Sequence, residues 1–333
     1  ISWDGLAGAV SANGGLGIIS AVGTGYYGDK KFAKNLSYGR PFGSENFYSK
    51  EALFEIFKNA RKVCGNAPLG VNILYAINDY GRVVRESCEA GTDVIVTGAG
   101  LPTNMPEFTV DFPDVALVPI VSSTKALKIL NKRWEGRYKR VPDAVIVEGP
   151  LSGGHQGVQF EDCYKEEYQL ENLVPEVVEE AKKWGNIPVI AAGGIWDNGD
   201  IKKFMALGAD GVQMGTRFVV AKESIVHPNY KERVIKAKDI DSEVTGMSTG
   251  HPIRVLRNQM SREYLKMEKE GASFEELEHL TLGSLRKAVI DGDVVNGSLM
   301  AGQSAGLVKK EQTCQEIIEE VVTDARALLA GRK

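Results

Sequence analysis

Short apolar runs alternate with amphipathic stretches along the first two thirds of this chain. Seven runs read as buried strands because each is almost continuously apolar. They are 16–22, 69–74, 94–97, 116–121, 144–147, 188–195 and 211–218. Between them, apolar residues recur at helical spacing. Leu53, Ile56 and Phe57 mark a helix over Ser49–Val63, and Leu173, Val177, Val178 and Ala181 mark another over Asn172–Trp184. Further helices are predicted over Ser2–Asn13, Tyr80–Glu89, Thr124–Trp134 and Gly199–Leu207, with a short one around Met105. Tyr26–Tyr48 is polar and aromatic without a period. It reads as a long surface excursion, of the kind used as a lid or a dimer contact.

Buried strands separated by amphipathic helices indicate an α/β fold with a parallel sheet. A doubly wound open sheet and a (β/α)8 barrel both fit this alternation. Residues able to do chemistry follow nearly every run: Asn72, Thr97, Ser122, Glu148, Gly193 and Thr216. A barrel spreads its active-site loops around the whole C-terminal rim, whereas an open sheet gathers them at one switch point. The TIM barrel is therefore the expectation. A closed barrel needs an eighth strand, and that strand is expected upstream of Ile1; an incomplete barrel is the alternative.

Beyond Phe218 the pattern changes. Residues 221–297 are charged and helical in character, with helices over Tyr264–Gly271 and Ser273–His279 and no strand-like alternation. They read as a helical cap inserted after a barrel spanning 1–220. Residues 298–333 supply a small-residue return loop, Ser298–Gly306, and a last helix over Gln312–Leu329 that packs back on the barrel.

Composition narrows the partners. The 333 residues are 43% hydrophobic and 25% charged, with a net charge of -4 and no basic run. That argues against nucleic acid as the main partner. No apolar stretch approaches the roughly 20 residues of a membrane span, and no signal peptide opens the chain. Cys64, Cys88, Cys163 and Cys314 are scattered and form no C-x-x-C pair, so neither zinc nor an iron–sulfur cluster is expected. Free thiols and a cytoplasmic location follow.

The candidate chemistry centres on Glu148-Gly149-Pro150-Leu151-Ser152-Gly153-Gly154-His155-Gln156-Gly157. A strand breaks into a glycine-flanked loop that presents His155, whose side chain titrates near neutrality and suits proton transfer. Without a Cβ, Gly154 lets a planar ligand approach the backbone. The expected last two strands end in Ala-Ala-Gly-Gly-Ile (191–195) and Gln-Met-Gly-Thr-Arg-Phe (213–218). In barrels the loops after strands seven and eight commonly hold phosphate. Gly193, Gly194, Gly215 and Thr216 can do so with backbone N–H groups and a hydroxyl. Asn72 is read as a hydrogen-bonding residue at a strand tip. The other histidines rank lower: His279 follows a charged helical run, His227 and His251 precede prolines, and His251 is a candidate pocket-lining residue of the cap.

Together, Pro-Leu-Gly-Val-Asn (68–72), Thr-Gly-Ala-Gly (97–100), Gly-Gly-His (153–155), Ala-Ala-Gly-Gly-Ile (191–195) and Gly-Thr-Arg-Phe (215–218) resemble the nitronate monooxygenase-like flavoproteins. Members of that family bind FMN on a TIM barrel. Residues 218–224, 227–231 and 300–303 are most similar to the FMN-dependent enoyl-acyl-carrier-protein reductases of the FabK type. Residues 25–27, 75–81 and 102–106 look more like a flavin acyl-carrier-protein dehydrogenase/isomerase, whose cysteine-bound iron–sulfur cluster has no counterpart here.

The resemblance implies that FMN phosphate rests on Gly193, Gly194, Gly215 and Thr216. It also implies that the isoalloxazine ring meets Asn72, Glu148, Gly154, Gln213, Met300, Gly302 and Gln303. The family's opening Gly-Met-Gly flavin contact is expected just before Ile1. The implied activity is reduction of a 2-enoyl thioester by NAD(P)H, with His155 as proton donor or enolate stabiliser. The substrate is then a small molecule or an acyl group on a carrier, and a homodimer is plausible through the Tyr26–Tyr48 excursion. Rival readings are nitronate oxidation, acyl dehydrogenation or isomerisation, a non-redox phosphate-binding barrel, and an interaction scaffold.

Overall fold

The computed structural model describes residues 1–28 and 48–323. Most of the predicted Tyr26–Tyr48 excursion, with the dimer contact placed on it, lies outside the described residues, as does the end of the last predicted helix. The chain divides into two compact units. One comprises Ser2–Ile146 and Glu179–Pro188; the other comprises Ile1, Val147–Val178 and Val189–Lys333.

The first unit alternates helix and strand: α1 (Asp4–Ala12), β1 (Gly17–Ser20), α2 (Lys50–Cys64), β2 (Leu69–Leu74), α3 (Tyr80–Glu89), β3 (Val94–Gly98), β4 (Ala116–Val121) and α4 (Thr124–Tyr138). Helix α2 shows why the periodicity was readable. Ser49 accepts the Ala52 N–H at 3.2 Å and starts the helix, a cap worth about 1 kcal/mol. Leu53, Ile56, Phe57 and Ala60 then bury one stripe completely. Each large side chain there stabilises by roughly 1.5–3 kcal/mol. The strands pair in parallel, with Ser20 opposite Asn72 and Val96 opposite both Asn72 and Val118.

Strand β5 (Val145–Glu148) and helix α5 (Leu170–Lys182) run across the division. The second unit holds β6 (Gly154–His155), β7 (Val189–Ala192), α6 (Asn198–Ala206), β8 (Gly211–Gln213), α7 (Thr216–Val219), α8 (Pro228–Ile235), β9 (Ser242–Thr245) and β10 (Ile253–Leu256). It ends with α9 (Gln259–Lys269), α10 (Phe274–Thr281), α11 (Ser284–Val289) and α12 (Cys314–Val322). Its core gathers Val219, Val220, Tyr230, Val234, Leu256, Val289, Leu299 and Ala301, with Ala305 of the return loop and Val308 just after it.

The large sheet has the order β1-β2-β3-β4-β5-β7-β8. Strand order follows chain order with no reversal. A doubly wound sheet would reverse at a switch point, so this is the TIM-barrel class.

Two readings of the pattern need correction. Residues 221–297 are mostly helical, but they also carry β9 and β10, which form an antiparallel sheet with β6 in the order β6-β10-β9. Strands of four residues offer too few positions for a period to show, and β10 is recognisable only once β6 pairs with it. The apolar run 211–218 is strand only to Gln213; Thr216–Val219 forms one helical turn.

Candidate active site

Every predicted flavin-contact or catalytic residue except Asn72 lies in the second unit; Thr97 and Ser122, the other strand-end residues, lie in the first with Asn72. That residue is fourth of six in β2, within the strand and not at its tip. Its side chain has no hydrogen-bond partner among the described residues, and its carbonyl accepts the Ala21 N–H at 3.0 Å.

In the second unit the strand-to-loop transition after β5 is built from backbone. Gly149 N–H donates to the Ala192 carbonyl at 2.9 Å, tying the end of β5 to β7. The loop then turns at Ser152, whose N–H reaches the Gly149 carbonyl at 3.2 Å. Gln156 folds its amide back, donating to the Ser152 carbonyl at 2.9 Å and the Gly154 carbonyl at 3.0 Å. His155 and Gly154 pair with Ile253 and Arg254 of β10. The loop is therefore a short strand with a fixed backbone, and His155 projects exposed from it.

The return loop closes against this segment. The Gln303 N–H donates to the Leu151 carbonyl at 3.0 Å, and Gly302 N–H donates to Thr216 Oγ1 at 2.8 Å. A Cβ on Gly153 would fall 2.6 Å from the Gly302 nitrogen, and one on Gly302 would fall 2.6 Å from the Leu151 oxygen. Such approaches are open only to glycine. Met300 forms an isolated bridge with Val255, and its carbonyl accepts the Tyr230 hydroxyl at 2.8 Å.

Two side chains absent from the sequence-based site hold it in place. Tyr230 is fully buried, and burial raises the pKa of its hydroxyl, so it stays a donor to the Met300 carbonyl. Arg254 is 4% exposed. It donates to the Pro150 carbonyl at 2.9 Å, to Ser242 Oγ at 2.9 Å and to Gln303 Oε1 at 3.2 Å. Gln303 Nε2 in turn donates to the Asp239 carbonyl at 2.9 Å. Both ends of the Gln303 amide are thus engaged by protein. Tyr230 lies 70 positions and Arg254 104 positions from the carbonyls they hold, and no local spacing signals contacts that distant.

Gly193 and Gly194 have φ of +104° and +80°, values that L side chains adopt rarely. The N–H groups of Gly194 and Gly215 have no acceptor among the described residues. Because Thr216 Oγ1 accepts from Gly302, its own proton is free to point elsewhere. A Cβ on Gly215 would meet nothing within 4 Å. Unpaired N–H groups, a free hydroxyl proton and open space make an anion-binding donor set, and this donor set suits the phosphate of a mononucleotide.

Two titratable groups accompany it. Glu148 ends β5. Its carboxylate has no hydrogen-bond partner among the described residues, and burial lifts its pKa from 4.5 to about 7. The pKa of His155 is lowered, first by the protein packed around it and then by the charge of His251. A value lowered from one already below 7 leaves the ring neutral at pH 7. Gln213 ends β8 with its side chain unpartnered among the described residues. All four cysteines are free and buried, and no cluster of three or more His, Cys, Asp or Glu able to hold a metal occurs among the described residues. No described helix is long and apolar enough to cross a membrane.

Strands in chain order, with unpaired donors after the last two of them and an imidazole after β5, place the chain in the (β/α)-barrel class. The nitronate monooxygenase family model matches residues 1–324, and the chain belongs to that family. FabK from Thermotoga maritima is similar over 99% of this chain and 91% of that one, with TM-score 0.79 and 34% identity. A nitroalkane oxidase from Streptomyces ansochromogenes, 22% identical with TM-score 0.69, covers 99% and 93% of the two chains and shares the fold. A probable nitronate monooxygenase from Staphylococcus saprophyticus is 34% identical over 190 residues, 56% of this chain. That match spans about half the relative's own length, 52%. The family and its FabK neighbour are FMN-dependent oxidoreductases.

Proposed function

We propose that this chain reduces 2-enoyl thioesters with NAD(P)H as electron donor. The observation that carries the reading is the likeness to FabK of T. maritima over 99% of the chain at 34% identity. Gly193, Gly194, Gly215 and Thr216 would hold the phosphate of FMN, and Glu148, Gly154, Gln213, Met300, Gly302 and Gln303 would line its ring system. Bound there, FMN supplies hydride transfer, which no side chain of this chain can perform.

The protein's own contributions follow from the geometry. Below about pH 7 the Glu148 carboxyl is protonated, and it could donate a hydrogen bond to the bound ring system. With its amide engaged by Arg254 and Asp239, Gln303 positions the return loop, leaving backbone as its means of touching a ligand. Reduction of a 2-enoyl thioester places negative charge on the thioester oxygen and requires a proton at the α-carbon. A neutral His155 meets the first need as an N–H donor from one ring nitrogen. After that bond forms, the same proton can pass to the enolate, and solvent at the exposed ring restores it.

A second reading has its own support. The family model is that of nitronate monooxygenase, and a neutral imidazole can also accept a proton from a carbon acid. One experiment separates them. An absorption spectrum of the purified protein is recorded without oxygen, before and after NADH or NADPH, and then after a 2-enoyl thioester. Rapid bleaching of a flavin band by the nucleotide and its return with the thioester support the reductase. A band that the nucleotide leaves unchanged, but that a nitronate bleaches, refutes it in favour of the second reading.

A further inference from the structure

Outside the anion cradle, the second unit contains a buried carboxylate with no cationic partner among the described residues. Glu268, on α9, is 9% exposed. It accepts the Ser248 N–H and the Ser248 hydroxyl at 2.9 Å each on Oε1, and the Gly246 N–H at 3.3 Å on Oε2. These donors belong to the loop that joins β9 to β10. A carboxylate taken out of water without a cation is stabilised only by hydrogen bonds that satisfy it, and here one loop supplies all three. Inside the loop, Thr249 Oγ1 donates to the Gly246 carbonyl at 3.1 Å and accepts the His251 N–H at 3.3 Å. Gly246 has φ +89°, and a Cβ there would fall 2.2 Å from the His251 carbonyl oxygen. The loop has one conformation because its own backbone and a carboxylate from another element specify it.

What that conformation delivers is His251. Pro252, the next residue, accepts the Gln156 N–H at 2.9 Å, and Ile253 pairs with His155. His251 is exposed and close enough for its charge to act on His155.

We propose that Glu268 is a positioning residue that fixes the 246–251 loop so that His251 stands beside His155 as the second imidazole of the active site. The proposal rests on the reading of His155 as the reacting imidazole. A second imidazole there would keep the first neutral and limit which charged groups can dock next to it. The other charged or titratable groups near His155 are spoken for or lie along the chain. The Arg254 guanidinium, one register position away, is bonded to Pro150, Ser242 and Gln303. Glu148 ends the preceding strand, and Tyr264 of α9 hydrogen-bonds Thr249 of the loop.

The test is a histidine-selective NMR titration of the full-length protein as purified, which reads His155 without any turnover. Removing a like charge raises a histidine pKa, so His251→Ala should move the His155 midpoint up. Glu268→Ala should move it in the same direction, and Glu268→Ala combined with His251→Ala should move it no further than His251→Ala alone. Glu268→Gln keeps an oxygen for both Ser248 bonds but turns an N–H donor toward the Gly246 N–H, so its midpoint should fall between wild type and Glu268→Ala. Gly246→Ala, which leaves the carboxylate intact but displaces the His251 carbonyl, should reproduce Glu268→Ala and serves if that variant does not fold. A wild-type midpoint in Glu268→Ala or Gly246→Ala, or no effect of His251→Ala, overturns the proposal. Failure of the thioester assay with this coupling intact counts against the proposed substrate alone.

Discussion

Glu148→Gln isolates one physical quantity, the cost of ionising a carboxyl at the end of β5. Burial lifts that carboxyl from 4.5 to about 7 and no hydrogen bond offsets it among the described residues. In the unfolded chain the proton leaves near pH 4.5; in the folded chain it leaves near pH 7. Between these values the folded state binds more protons, so stability falls as pH rises through the window. The difference is about 2.5 pH units, which at 1.36 kcal/mol per unit is roughly 3 kcal/mol by pH 8. Glutamine is nearly isosteric and never ionises. Urea unfolding of wild type and Glu148→Gln, measured from pH 4 to 8 on protein freed of flavin, should therefore coincide at the acid end. The curves should then separate, with the glutamine variant more stable by roughly 3 kcal/mol at pH 8. The protonated-carboxyl stretch in the infrared should disappear near pH 7 in wild type and be missing one group in the variant. Curves that remain parallel throughout would falsify the argument from burial, and would mean that water or a protein group solvates the carboxylate.

The remaining expectations concern the cradle and the imidazole. His155→Ala should keep FMN at wild-type stoichiometry and lose turnover by about 100-fold or more, the usual worth of a positioned acid or base; unchanged turnover removes His155 from the reaction. Gly194→Val imposes a branched side chain at φ +80°, with a Cβ 3.0 Å from that of Leu151. It should abolish the flavin band, and a yellow, fully loaded variant contradicts the phosphate assignment. Thr216→Val leaves the Gly302 N–H without its acceptor and deletes the outward hydroxyl proton. It should weaken FMN binding by about tenfold in a fluorescence titration, the scale of one or two hydrogen bonds.

Much of this architecture was legible in the chain because the relevant signals are local. Nearly continuous apolarity over four to eight residues marks a strand buried on both faces, and the strands of seven such runs appear in the sheet in chain order. Helix ends were readable for the same reason. Ser49 caps α2, Thr124 opens α4 after the Ser123 cap, and Ser273 caps α10 with Glu276 completing the box. The glycine pairs after β5 and β7 and the histidine between them are likewise runs of a few residues. What remained hidden is set by contacts across long stretches of chain. Strands β9 and β10 exist because β10 pairs with both β9 and β6. Asn72 sits within its strand because β2 continues to Leu74.

The order of elements, the barrel class and the runs of glycine, hydroxyl and imidazole could be read along the chain, because backbone propensity and the period of burial are properties of neighbouring residues. How those parts are held and charged is set by contacts between distant stretches of the folded chain. Arg254 engages Gln303, Tyr230 holds Met300, and Glu268 shapes the loop that carries His251. Desolvation, which moves Glu148 and His155 in opposite directions along the pH scale, is likewise made by everything that packs around a group, and no stretch of the chain carries it alone.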